Sequence, residues 1–294
     1  MWYCLYENKQ FGPYSEHEAA AFADRRRGVL FRQEGTNEWL PAEKIPALNI
    51  PLSSEREIAS GLPFRIYGDD LQYVEIDLPS SGSVIAEPGA MICKDAAITL
   101  EASMGGKNKS ALGSLMKRIF SGESAFLSVF TNKSAKPARI SFSAPYPGKI
   151  VPVSPAACGG GLICQKDSFL CAQDSVDIDI YFQKNIMTGY FGGGGFIMQR
   201  LVGDGVAFIT AGGTIAEREL KPGETIHTDV GALVAFTPSV RFNIEAVGNF
   251  KSMIFGGSGV FFASLTGPGK VWIQSLPFSR LVHKIAVQAS KKQK

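Results

Sequence analysis

Two stretches of this chain, 64 residues apart, carry one pattern. GFIMQRLVGDGVAFITA (195–211) and GVFFASLTGPGKVWIQS (259–275) set Gly195, Leu201, Gly203, Gly205 and Ile209 over Gly259, Leu265, Gly267, Gly269 and Ile273. The register continues outside the hairpin: Ser175, Val176 and Ile180 fall under Ser239, Val240 and Ile244. A third copy precedes both. PGAMICKDAAITLEA (88–102) matches the middle copy at an offset of 78 and places Cys93 on Cys171, with SAFLSVFTNKSAKPARISFSA (124–144) as its hairpin partner. Each copy alternates as strands do: Val240, Phe242 and Ile244 point one way, Arg241 and Asn243 the other. The Gly-x-Gly pairs fall where a tight hairpin needs positive φ. A few strands with one apolar face cannot bury it alone, whereas stacked copies can. The expected body is mainly β: three copies around a pseudo-threefold axis, closed as a β barrel or double-stranded β-helix over about residues 62–286. Closure would also remove exposed sheet edges.

Composition excludes several alternatives. With 294 residues, 45% hydrophobic and 19% charged, the chain is of ordinary globular type, and its 32 glycines favour turns. A net charge of +3 demands no polyanion. MWYCLYENKQ has polar residues where a signal peptide needs an apolar run, and no apolar stretch reaches the length of a membrane span. The five cysteines (4, 93, 158, 164 and 171) include no C-x-x-C pair, which fits reduced thiols. The expected location is cytoplasmic, at most peripheral to the inner face of the membrane.

The motifs from EPGAM through GGGF, GDG, PGE, VGALVAF and GSGVF to GPG-VW-QS resemble, in order, the altered-inheritance-of-mitochondria protein family over about residues 62–286. The resemblance implies a triplicated fold like that of the trp RNA-binding attenuation protein (TRAP-like), and a tendency to assemble. It carries no enzymatic activity, and one mitochondrial member is linked to inner-membrane organisation.

Residues 1–48 form a separate small α+β module. WYCLY and QFGPY read as a strand pair turning at Asn8-Lys9. Ser15 with Glu18 is a capping box for a helix through EAAAFADRRR, which stops at Gly28, and VLFR follows as a strand. Trp2, the Gly12-Pro13-Tyr14 triplet and Trp39 resemble the bacterial GYF-type domain. Eukaryotic relatives of that domain bind proline-rich peptides on an aromatic dish, which the resemblance carries to Trp2, Tyr6, Phe11, Tyr14 and Phe22. The naming Gly-Tyr-Phe triplet reads Gly28-Val29-Leu30 here. In so small a domain the plain reading of these aromatics is core. Residues 49–61, bounded by prolines, read as a linker, and 287–294 as a basic tail.

No catalytic or metal constellation is legible. The three histidines, His17, His227 and His283, are scattered, and His227 reads as a surface residue on a strand. The slot holding Cys93, Cys171 and Ala235 reads as a small core position rather than a reactive thiol. Cys158 and Cys164 have no His or Asp close by in sequence, and no G-x-S-x-G occurs. YFGGGGF and CGGGL lack a following Gly-Lys-Ser/Thr, so close packing explains them better than phosphate. No cofactor is expected.

Charge is uneven. Lys107, Lys109, Lys117, Arg118, Lys133, Lys136, Arg139, Lys149 and Lys166 stand against Glu123 between residues 102 and 166, and Asp167, Asp174, Asp177 and Asp179 follow. In SALGSLMKRIF, Leu112, Leu115, Met116, Ile119 and Phe120 recur at helical spacing beside Lys117 and Arg118. This insertion reads either as a lid on the barrel or as a contact with an anionic membrane or another subunit. The resulting expectation is a non-enzymatic scaffold or adaptor. It forms a homo-oligomer, with Asp174, Asp177 and Asp179 as the acidic counter-face of the basic first copy. It touches a membrane surface or a partner protein, a proline-rich peptide included. Binding of RNA or a small ligand through the basic copy is the alternative. Nucleic acid is the weaker partner, because Phe126 and Phe130 alternate toward a core face instead of interleaving with the basic residues.

Overall fold

The computed structural model describes residues 1–15, 18–19, 22, 29–41, 45, 62–103, 127–184, 195–246 and 261–291. The chain divides into two compact units, residues 1–56 with 65–68 and residues 57–64 with 69–294.

The N-terminal unit contains β1 (Trp2–Tyr6), β2 (Lys9–Tyr14), β3 (Leu30–Gln33) and β4 (Leu40–Pro41), in the sheet order β2-β1-β3-β4. The β1–β2 turn is Glu7-Asn8, one residue earlier than expected. Both residues have positive φ, 47° and 60°, as a two-residue type I′ hairpin requires. The capping box is present: the Glu18 N–H donates to Ser15 Oγ at 3.3 Å, and the Ser15 N–H donates to Glu18 Oε2 at 2.8 Å. Trp2, Cys4, Ala19, Val29, Phe31 and Ile45 are the buried core. The expected linker at 49–61 lies outside the described residues, and β5 (Phe64–Tyr67) straddles the division between the units.

The second unit is mainly β and repeats one set of six strands three times. The first set is β6 (Tyr73–Leu78), β7 (Ser83–Ala86), β8 (Met91–Lys94), β9 (Ile98–Ser103), β10 (Leu127–Asn132) and β11 (Ala138–Ser143). The second is β12 (Gly148–Val153), β13 (Leu162–Gln165), β14 (Phe169–Gln173), β15 (Asp177–Lys184), β16 (Phe196–Val202) and β17 (Ala207–Gly212). The third is β18 (Ile215–Leu220), β19 (Thr225–Asp229), β20 (Leu233–Phe236), β21 (Arg241–Ala246), β22 (Phe261–Thr266) and β23 (Gly269–Gln274). In every set the sixth strand lies between the first and third, and the fifth between the second and fourth, all antiparallel. Each set also carries a bulge at the same place, where the register skips Ile92, Leu170 or Val234.

The positive φ expected of the Gly-x-Gly pairs is found at one glycine of each, Gly203 at 124° and Gly269 at 142°, and the second glycine of each pair is also held to Gly by close contact. A Cβ on Gly205 would meet Ser175 Oγ at 2.5 Å, and one on Gly269 would meet Ser239 Oγ at 2.5 Å. The two contacts are themselves 64 residues apart. The first set has no such glycine pair. There the buried Asn132 amide donates to the carbonyls of Leu78, Pro79 and Lys136, which holds the longer turn.

Neighbouring sets are joined by one kind of junction: β7 pairs with β14, and β13 with β20. These junctions make two six-stranded sheets, β12-β17-β14-β7-β10-β9 and β15-β16-β13-β20-β23-β18. Most of the core lies around them, including Leu162, Cys164, Ala207 and Ile209 in one cluster and Phe196, Met198, Leu233 and Phe236 in another. The expected closed barrel is not found. Closure would need a third junction, between β8 and β19, yet among the described residues β8 pairs only with β11 and β19 only with β22.

A second correction concerns residues 278–286, expected within the β body. Phe278–Lys291 is a helix. Pro277 sets its start, with its carbonyl accepting from the N–H groups of Arg280 and Leu281 at 3.0 and 3.3 Å. The apolar residues Phe278, Leu281, Val282 and Ile285 recur every three or four positions, which is the helical period.

Candidate functional site

Two strands that have one partner only among the described residues, β8 and β19, define the site. The third strand of each set is buried in the second and third sets and exposed in the first: Leu170 and Val234 are 2% and 0% exposed, whereas their equivalent Ile92 is 54% exposed. Met91 and Cys93 are exposed with it. The second strand behaves the same way at the other end. Val84, Ile85 and Ala86 in β7 and all of β13 are buried, while β19 alternates between exposed and half-buried residues. His227 sits on this strand half-exposed, with Nε2 3.6 Å from the Glu245 carboxylate. A lone surface histidine was expected there.

The two internal junctions share one register. Cys171 lies opposite Ala86 and Ala172 opposite Ile85; at the other junction Ala235 lies opposite Cys164 and Phe236 opposite Ile163. These pairs are equivalent through the repeat. The same register applied to the free strands sets Cys93 opposite Thr228 and Lys94 opposite His227. Each free strand is therefore half of a junction the chain already makes twice. A row of unpaired N–H and C=O groups beside apolar side chains is a template for pairing with another strand.

The cysteine slot read from sequence as core is core only where that junction is made. Cys171 is fully buried, as is Ala235, but Cys93 is exposed and its thiol lies 3.7 Å from Ser141 Oγ. Burial pushes the Cys164 thiol up to about 12 and the Cys171 thiol well above its ordinary range. Such thiols are not nucleophiles.

At the β7–β14 junction stands a polar cluster that sequence reasoning missed. The Glu87 N–H donates to the Leu170 carbonyl at 3.0 Å. Burial pushes the Glu87 carboxyl up to about 7, with Lys166 opposing the shift and Asp167 adding to it. The Tyr146 hydroxyl donates to the Asp167 carbonyl at 2.9 Å and shares a hydrogen bond with Thr210 at 3.0 Å. Burial raises this phenol too, and the Thr210 bond lowers it. The glutamate that opens EPGAM gave no sign of this, because its neighbours come from 59 and more residues away. Among the described residues, no three of His, Cys, Asp and Glu come together in a group able to hold a metal ion.

In the N-terminal unit the five dish residues part company. Trp2 is core, while Tyr6, Phe11, Tyr14 and Phe22 are partly buried and pack against it. Phe22 lies against Phe11 and Tyr14, with ring centroids 4.8 and 5.6 Å away. A second aromatic group escaped the sequence reading: the Arg32 guanidinium lies over the rings of both Tyr3 and Trp39, at 4.9 and 5.2 Å.

Of the expected membrane or oligomer contact, Lys107, Lys109, Leu112, Leu115, Met116, Lys117, Arg118, Ile119 and Phe120 all lie outside the described residues. Lys149, counted in the basic stretch, falls on β12 of the second set, and its Nζ meets Asp69 at 2.9 Å and Asp70 at 3.6 Å. Asp177 and Asp179 are exposed on β15 and Asp174 is half-buried, with Asp179 opposite Arg200 in the register. Among the described residues no helix is long and apolar enough to cross a membrane.

Repeated antiparallel sheets, preceded in sequence by a small aromatic-rich module, define a mainly β class of protein. The chain belongs to the mitochondrial biogenesis AIM24 family, whose sequence model matches residues 64–276, and residues 2–48 match GYF domain 2. It is 30% identical over 208 residues to an uncharacterised protein of Streptococcus pyogenes serotype M6, a match covering 69% of this chain and 81% of that one. A crystal structure of a protein from Streptococcus pyogenes is also similar, with a TM-score of 0.63 at 25% identity, covering 77% of this chain and 99% of the other.

Proposed function

We propose that this protein is a non-enzymatic scaffold that assembles head to tail, with β8 of one chain pairing with β19 of the next. One observation supports this above all: the free strands are the two halves of the junction used twice inside the chain, and they stand exposed where their internal equivalents are buried. The contact is heterologous, so copies close into a ring or extend as a filament. Backbone hydrogen bonds set the register, and Met91 and Ile92 supply apolar area. The finer fold reading, a triplicated TRAP-like unit, belongs to the same proposal, since it treats each six-strand set as one subunit of a larger circle.

The test is a cysteine pair. Thr228→Cys should form a disulfide with the native Cys93 of a neighbouring chain, giving linked dimers and higher species that collapse on reduction. Cys93→Ser in the same background should abolish the ladder. A disulfide formed within single chains would mean that the ends close on themselves, which overturns the assembly. No disulfide at all, in a protein that sediments as a monomer, overturns it equally.

A further inference from the structure

We infer that the helix Phe278–Lys291 is a docking surface for an anionic lipid bilayer. The inference stands on the helix alone and holds whether or not chains assemble.

The helix is tied down at its start. Phe278 stacks on Tyr146 with ring centroids 5.1 Å apart, and Arg280 reaches the Asp229 carboxylate at 3.4 Å. Beyond that turn it presents apolar side chains to solvent. Phe278 is 40% exposed, Val282 45% and Ile285 60%, in a unit whose other apolar side chains are mostly below a tenth exposed. Spacings of four and three put these residues on one stripe. Lys284 is exposed and lies off that stripe, where a long side chain reaches headgroups while the stripe enters the acyl boundary.

Charge selects the occupant. No acidic residue follows Glu245 in the sequence, whereas Lys251, Lys270, Arg280, Lys284, Lys291, Lys292 and Lys294 do. A second copy of the helix would meet like charge, so the helix does not suit self-association. Lys270 and Arg280 are paired with Glu217 and Asp229, but the helix itself carries Lys284 and Lys291 and no acid, and an apolar stripe beside such lysines matches a surface that offers hydrocarbon and negative headgroups together.

The experiment is vesicle flotation of the full chain. Phosphatidylcholine vesicles are compared with phosphatidylcholine containing about 30% phosphatidylserine, at low and at physiological salt. The chain should float with the anionic vesicles at least about tenfold more than with the neutral ones, and the difference should shrink with salt. Ile285→Asp should lower binding about tenfold or more, and Lys284→Glu should lower it in a salt-dependent way. Both sites are exposed, so unfolding temperature and solution mass should stay unchanged, which separates lost lipid binding from lost assembly. Failure to bind anionic vesicles, equal binding to both kinds, or Ile285→Asp binding like the parent overturns the inference. Retention by an acidic protein without any vesicle binding overturns it as well.

Discussion

Position 93 and its equivalents 171 and 235 ask for the same small side chain and receive different surroundings. The sequence made the equivalence legible, because Cys, Cys and Ala fall in one slot. It could not reveal that the slot is open in the first copy, since that depends on whether another strand lies alongside. Thiol labelling should therefore be selective: Cys93 modified quickly in separated chains and slowly in assembled ones, Cys164 and Cys171 only after unfolding. Glu87 makes a second case. Its carboxyl titrates near 7 when folded against an ordinary 4.5, so the fold favours the protonated form. Its contribution is fully present below about 4.5 and is lost as pH rises through about 7. Glu87→Gln should flatten that fall and raise stability at pH 8 by about 1–3 kcal/mol, measured by urea unfolding across pH.

Strands and helices show how far periodicity carries. Alternation and the 64-residue offset were enough to place hairpins, because a strand's pattern is local. The helix after Pro277 carries its period in Phe278, Leu281, Val282 and Ile285, yet it falls where the repeat, read to residue 286, implies more β structure than its last strand provides. Its exposed stripe also defies the rule that apolar periodicity marks a buried face. At the level of the edge strand, the repeat supplies an internal control. Ile92 and Leu170 are the same bulge residue in successive sets, exposed in one and buried in the other. Ile92→Lys should change stability by less than about 0.5 kcal/mol and abolish assembly, as charges on natural edges do. Leu170→Lys should cost about 3 kcal/mol or more, because it buries an unpaired charge in a junction. Thermal unfolding and light scattering on both variants distinguish edge from interior; equal destabilisation would sink the distinction.

For the whole molecule, three copies suggested a closed body, and closure is where sequence reasoning overreached. Repeats imply stacking, but whether the ends meet depends on the rotation from one set to the next, which no residue pattern encodes. The N-terminal module was legible down to its capping box, since Ser15 and Glu18 lie three residues apart, whereas the Arg32 contacts with Tyr3 and Trp39 required the sheet to bring distant residues together.

The shared register of the two internal junctions gives the chain a direction. One end exposes a third strand and the other a second strand, as a tile has a tongue and a groove. Adding or deleting an internal six-strand set would leave both ends chemically as they are. In the proposed assembly, copy number per gene is then free to drift while the joint stays constant. If the assembled chains close into circles, curvature fixes the number of six-strand sets around each one, so chains of two sets and chains of three would build equal circles from different numbers of chains.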